Sequence, residues 1–367
     1  MICITYSFTV VPFIMSNVNE FTHKLNIRYP VIQAPMLGVT TPDMVAAISN
    51  AGGLGSLPVG GLSPAFSREL IRKTRELTKK PFAVNLFVYD LPDADQRMID
   101  EMGLFLERLT RQYNIKYNRP VAPAPFNHYT DLLDVLVTEK VGIVSFTFGV
   151  PNKEFVDRLK QEKTLLIGTA TCSLEAAILE QNGIDVIVAQ GVEAGGHRGT
   201  FLHAANLPLI GSMSLIPMVV DTVKLPVIAA GGISDGRGIK AAFALGASAV
   251  QLGSAFLTSN ESLAGDAHKK AILSSRDIDT VVTNTFTGRW ARGIRNEFVS
   301  ALETSGMPMP PYPFQMNLTN PLRLEAQKNE DTSFFPIWAG QSASRSKQLP
   351  AARIFKKLVD EAGLEPR

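Results

Sequence analysis

The chain has 367 residues, 45% of them hydrophobic, with 36 Lys plus Arg against 34 Asp plus Glu and a formal net charge of +2. That length accommodates one large α/β barrel or two medium domains. A near-neutral balance without a basic stripe excludes nucleic acid and anionic membranes as partners.

The first fifteen residues, MICITYSFTVVPFIM, carry no charged side chain. They are too short to span a bilayer and lack the basic start and cleavage site of a signal peptide. Residues 1–24 are expected to be a peripheral tail, with Met15 as an alternative start. Cys3 and Cys172 stand far apart without a partner motif, so neither a disulfide framework nor a metal site is expected, and a reducing, cytoplasmic setting fits.

Eight apolar runs follow: PVIQAP (30–35), GLGSL (53–57), FAVNLF (82–87), GIVSFTF (142–148), TLLIGTA (164–170), DVIVAQ (185–190), PVIAA (226–230) and AVQLG (249–253). They show little alternation, as strands of a parallel sheet covered on both faces do. Helical stretches lie between them at 41–51, 63–77, 173–183 and 235–247. In the third, Ser173 is the expected N-cap, and Leu174, Ala177, Ile178 and Leu179 the expected apolar face. Eight β-α units predict a TIM (β/α)8 barrel over residues 25–258, with a doubly wound sheet as the alternative that alternation alone leaves open. Residues 88–141 break the rhythm and read as an insertion after strand 3, holding a charged helix and the loop NRPVAPAPFNHY (118–129). After residue 258 the strands are expected to stop. Residues 259–367 read as a helical lid or small domain that completes the substrate site.

In a barrel, chemistry collects where strands end. The relevant ends are QAPM (33–36), NLF (85–87), QGVEAGGH (190–197), AAGGISDGRG (229–238) and QLGS (251–254). Gly231, Gly232, Gly253 and Ser254 follow the seventh and eighth strands, where barrels hold phosphates, so they either make tight turns or cradle a phosphate. GISDGRG lacks the Lys and Ser/Thr of a nucleotide-hydrolysing loop, and AGGLGSLPVGG does not fit a dinucleotide fingerprint. Asn85, Gln190 and Gln251 are amides at the ends of apolar strands. Either a flat heterocycle or neighbouring backbone groups would pair them. His197, behind two glycines at the end of strand 6, is either a loop imidazole bonded to a carbonyl or an active-site base, for which its near-neutral titration suits it. Of the other histidines, His23 lies in the polar N-terminal segment, His203 in a loop and His268 in a charged helix. His128 in the insertion stays a weaker substrate-contact candidate. Glu193 and Arg198, flanking His197, read as a structural ion pair.

Together QAPM, NLF, QGVEAGGHRG (190–199), AAGGISDGR (229–237), QLGS and the tail WAGQS (338–342) resemble the nitronate monooxygenase family, formerly called 2-nitropropane dioxygenases. The resemblance implies an FMN-dependent barrel enzyme that oxidises alkyl nitronates with O2 to a carbonyl compound and nitrite, without metal or reduced nicotinamide. Asn85, Gln190, Gly195, Gly231, Gly232, Gln251, Leu252, Gly253 and Ser254 would hold FMN, and Pro35, Met36 and Gln341 would lie near its ring. His197 would be the base, and Tyr312 would line the substrate cavity. One position departs: many relatives have histidine where this chain has Thr147, which carries no charge. Rival readings on the same barrel are an FMN-dependent enoyl-acyl-carrier-protein reductase and an NAD(P)H:quinone reductase. A non-catalytic flavin-binding barrel is a further rival, and a homo-oligomer is compatible with all of them.

Overall fold

Runs of Val, Ile, Leu and Ala with no polar alternation can be buried on both faces, and eight of them are. They form β1 (Val31–Gln33), β2 (Gly55–Pro58), β3 (Phe82–Phe87), β4 (Ile143–Thr147), β5 (Leu165–Ala170), β6 (Val186–Gln190), β7 (Val227–Ala230) and β8 (Ala249–Leu252). The computed structural model describes residues 20–93, 95–121, 127–202 and 207–365. The first fifteen residues with Cys3 and Met15, residues 122–126 of the proline-rich loop and His203 lie outside these.

All eight strands are parallel, in the order β1-β8-β7-β6-β5-β4-β3-β2. A bridge between Ile32 and Leu54 joins the first strand to the second, so the sheet closes as a barrel rather than lying open. Its interior is filled by Ile32, Ala83, Ile143, Ile167, Val186, Val188 and Ile228, together with Phe21 and Leu25. The last two come from a helical turn at residues 20–25. Part of the expected N-terminal tail is therefore core.

The four expected helices occur as Pro42–Asn50, Pro64–Leu77, Ser173–Gln181 and Gly236–Ala244. Thr41, Ser63 and Asp235 cap three of them through their side chains. The other differs from expectation. Ser173 is its first helical residue, and Cys172 holds the cap position without a side-chain bond. Its buried face is Glu175, Ala176 and Leu179, while Leu174 is exposed. The helix is turned so that the Glu175 carboxylate points inward, where five donors wait for it.

The insertion and the tail build a second core beside the barrel. Helix Gln96–Gln112 lies against helix Phe314–Lys328, and Met102, Leu106 and Leu109 pack with Leu318, Leu322, Phe286 and Phe298. Helix Leu133–Thr138, at the far end of the expected insertion, is an ordinary barrel helix before β4. Strands do not stop at residue 258: β9 (Thr280–Thr283) and β10 (Ala291–Ile294) form an antiparallel pair. The other edge of β10 pairs antiparallel with the two-residue strand Gly196–His197, with Ala291 opposite His197 and Arg292 opposite Gly196. The tail is thereby hydrogen-bonded to the loop that follows β6. Among the described residues, no helix is long and apolar enough to cross a membrane.

Candidate active site

His197 leaves β6 in a glycine-rich loop whose backbone is held from three sides. The strand pairing with β10 fixes one edge. The Gln190 amide fixes the inside, donating to the His197 carbonyl at 3.1 Å and accepting from the Gly199 N–H at 2.8 Å. The segment around Trp338 covers the outside. The Gly340 N–H donates to Ser254 Oγ at 2.9 Å, the Gln341 N–H to the Glu193 carbonyl at 3.0 Å, and Ser342 Oγ to the Gly232 carbonyl at 2.8 Å. WAGQS thus straps the loops after β6, β7 and β8 to one another.

Glu193 and Arg198 do not pair. The Glu193 carboxylate takes the Ser212 N–H and hydroxyl, capping helix Ser212–Thr222. Fully buried Arg198 donates to the carbonyls of Gly191 and Gln190. Burial lowers its pKa to about 10, with Glu175 opposing the shift. Both residues are structural, by separate bonds.

The His197 ring sits in an aromatic cluster, with Trp338, Phe148 and Tyr312 centred 5.6, 5.7 and 6.1 Å away. Tyr89 joins through Tyr312 at 5.0 Å. Phe148 has φ of +83°, an uncommon conformation for a bulky residue and a mark of functional sites. The Arg289 guanidinium lies 3.9 Å over its face. His197 Nε2 is 2.9 Å from Thr287 Oγ1. That hydroxyl has one proton, directed at the Arg289 carbonyl 3.1 Å away, and it also accepts the Arg289 N–H. Its oxygen then accepts from Nε2–H, which leaves the lone pair of the neutral ring on Nδ1. Burial, followed by the charges of Arg289 and Arg323, pushes the imidazole pKa down to about 3. At neutral pH the ring is uncharged.

Other expected residues fall into three groups. Tyr312 is brought to His197, and Met36 lies beside Gly253, its Sδ 3.7 Å from the point where a Gly253 Cβ would stand. Pro35 precedes Met36, half-buried in the loop after β1. The Asn85 NH2 group donates to Ser145 Oγ at 3.0 Å and Thr147 Oγ1 at 3.2 Å, while its Oδ1 has no partner among the described residues. Thr147 therefore orients Asn85. Gln251 alone among the three amides has no protein partner among the described residues. The rest are not gathered at the ring: the Leu252 side chain faces the helix layer with Met44 and Phe355, Gln341 is exposed, and His128 is held by Thr130, Asp90 and Tyr129.

At the ends of β7 and β8, Gly231 and Gly232 have φ of +109° and +72°. Asp235 already occupies the start of helix Gly236–Ala244, bonded to Arg237 N and Gly238 N at 3.0 and 3.3 Å. Its carboxyl is held down to about 2, chiefly by the Arg237 hydrogen bond. Anion-binding capacity lies instead in the N–H groups of Gly232, Gly253 and Ser254, which find no acceptor among the described residues. Thr287, Arg289, Arg323 and Phe148 were not singled out from the sequence, and Trp338 entered only as part of the WAGQS segment. The GGH loop and the WAGQS segment are the sequence features that meet there.

Residues 19–361 match the nitronate monooxygenase family model. A probable nitronate monooxygenase of Staphylococcus saprophyticus is 44% identical over 344 residues, covering 93% of this chain and 96% of that one. One of Staphylococcus aureus is 41% identical over 349 residues, covering 95% and 98%. Among solved structures, a nitroalkane oxidase from Streptomyces ansochromogenes superposes with a TM-score of 0.86 at 37% identity, covering 94% of this chain and 97% of that chain. FabK from Thermotoga maritima gives 0.73 at 30%, covering 94% and 96%. The chain belongs to the nitronate monooxygenase family of oxidoreductases.

Proposed function

We propose that the protein is an FMN-dependent oxygenase that converts alkyl nitronates and O2 to a carbonyl compound and nitrite. The observation that carries this reading is a neutral His197, fixed by Thr287, in an aromatic pocket beside two cationic guanidinium groups. An anionic substrate and an uncharged acceptor nitrogen suit each other there.

The residues fit a flavin mononucleotide. Three backbone N–H groups without acceptors among the described residues, in Gly232, Gly253 and Ser254, suit a phosphate. The Gln251 amide, unpaired among the described residues, suits the edge of a heterocycle. When bound, the flavin supplies the redox chemistry, and the protein supplies orientation and electrostatics. Arg289 and Arg323 attract the nitronate anion, and Trp338, Phe148 and Tyr312 keep the site apolar. His197 Nδ1 accepts the α-proton when a neutral nitroalkane enters. Its depressed pKa disfavours a standing positive charge, and the nitronate formed beside it stabilises the imidazolium.

A general base contributes about 10²–10⁴-fold. His197→Asn is expected to lose about that factor on neutral nitroalkanes and less than about tenfold on pre-formed nitronates, measured as nitrite release. Equal losses on both would exclude a proton-abstracting role and leave His197 a positioning residue.

A further inference from the structure

Glu175, on helix Ser173–Gln181, is a fully buried carboxylate one link away from the site. Its two oxygens divide their work. Oε2 accepts from the N–H and hydroxyl of Thr171, at 2.6 and 2.8 Å, and so ties down the start of its own helix. Oε1 accepts from the Thr200 hydroxyl at 2.8 Å and from the N–H groups of Phe201 and Leu202 at 2.7 and 3.1 Å. That second set holds the turn by which the chain leaves the His197 loop. The Thr200 carbonyl in this turn accepts from Arg289 Nη2 at 2.6 Å. Among the described residues it is the one hydrogen bond the Arg289 guanidinium makes, since Nε has no partner. From that anchor the guanidinium carbon lies 3.9 Å over the Phe148 ring, whose centre is 5.7 Å from that of His197. The backbone of the same arginine donates to Thr287 Oγ1 at 3.3 Å, and Thr287 Oγ1 meets His197 Nε2 at 2.9 Å. Charge follows the same line. Burial lowers the Arg289 pKa to about 10, and Tyr312, Tyr89 and Glu175 oppose the shift. A long side chain anchored at one carbonyl is fixed only as well as that carbonyl is, and charged acceptors make the firmest anchors.

We propose that Glu175 is a positioning residue for the site: through the turn at Thr200 it seats the Arg289 guanidinium over Phe148, beside His197. One buried carboxylate then does two things. It folds the segment 199–202, and it fixes the place of a cation in the aromatic pocket. The inference rests on the nitronate reading for what that cation does, but not for how it is held.

A double-mutant cycle separates seating from stability alone. Glu175→Gln and Thr200→Val each loosen the turn without touching Arg289, and Arg289→Met removes the charge while keeping much of the side chain. In the FMN-loaded protein, Glu175→Gln is expected to lose about tenfold and Thr200→Val about threefold in kcat/KM for pre-formed propyl-1-nitronate, mainly through KM, because the cation acts on the bound anion. Thr200→Ser keeps the hydroxyl and should stay within about twofold of the parent. In the Arg289→Met background, either loosening change should cost less than about 1.5-fold more. Undiminished losses in that background overturn the proposal and leave Glu175 a residue of the fold alone. Urea unfolding gives a second cycle that needs no turnover. The effect of Glu175→Gln on the unfolding equilibrium constant should be at least about fivefold smaller when Arg289 is already methionine. Strictly additive effects there also overturn the proposal. If Glu175→Gln does not fold, Thr200→Val carries both cycles. If the holoenzyme oxidises no nitronate, the reaction assigned above fails, and the urea cycle still decides how Arg289 is held.

Discussion

Gly195→Ala is expected to reduce turnover by about 100-fold and to destabilise the protein by about 2–3 kcal/mol. A Cβ at this position would fall on the backbone nitrogen of Gly340 and 2.6 Å from the Ala339 carbonyl carbon. Neither obstacle is a flexible side chain that can swing away. The 338–342 strap must move as a unit, and it is bonded to Ser254, Glu193 and Gly232. Its displacement also withdraws Trp338 from His197. A shift of 1 Å in groups that orient substrate commonly costs two orders of magnitude. Denaturant midpoint, flavin content and kcat/KM report the three consequences together. An unchanged midpoint with turnover within threefold of the parent would mean that the strap does not rest on the His197 loop.

Glu175→Ala should be the most damaging single change to stability, at roughly 3–5 kcal/mol. The carboxylate is fully buried and accepts from the N–H groups of Thr171, Phe201 and Leu202 and from the hydroxyls of Thr171 and Thr200. Alanine strands all five donors and removes the negative charge that offsets Arg198 and Arg289. Glu175→Gln keeps the shape and some of the acceptors, so it should fall between the two. Soluble yield and urea unfolding of the three proteins test the order. An alanine variant as stable as the parent would show that the segment 199–202 is held by other means.

The barrel was legible because fully buried strands announce themselves as unbroken apolar runs. β9 and β10 were not, since TVVT and ARGI are half-polar and follow the last barrel unit, where helices were expected. The face of helix Ser173–Gln181 was misjudged for a related reason: counting apolar residues hides a buried carboxylate, three of whose donors lie 25 to 27 residues away in the loop at Thr200. His197 stood out because a barrel concentrates function after its strands. Its neighbours Thr287, Arg289 and Arg323 come from the tail, and no local pattern in those segments tells a pocket arginine from a surface one. The amides show the opposite case. The His197 loop engages both ends of the Gln190 amide, and the hydroxyls of Ser145 and Thr147 on β4 engage the Asn85 NH2 group. Gln251 is the one of the three amides with no side-chain partner among the described residues.

The central claim is that this site oxidises nitronates rather than reducing acyl thioesters or quinones with a nicotinamide. The decisive measurement is parallel O2 uptake and nitrite release from propionate 3-nitronate by FMN-loaded protein, alongside NAD(P)H oxidation with and without a quinone or enoyl thioester. The account predicts rapid O2 uptake with nitrite formation and no appreciable NAD(P)H turnover. Rapid NAD(P)H oxidation with no nitrite from the nitronate would contradict it.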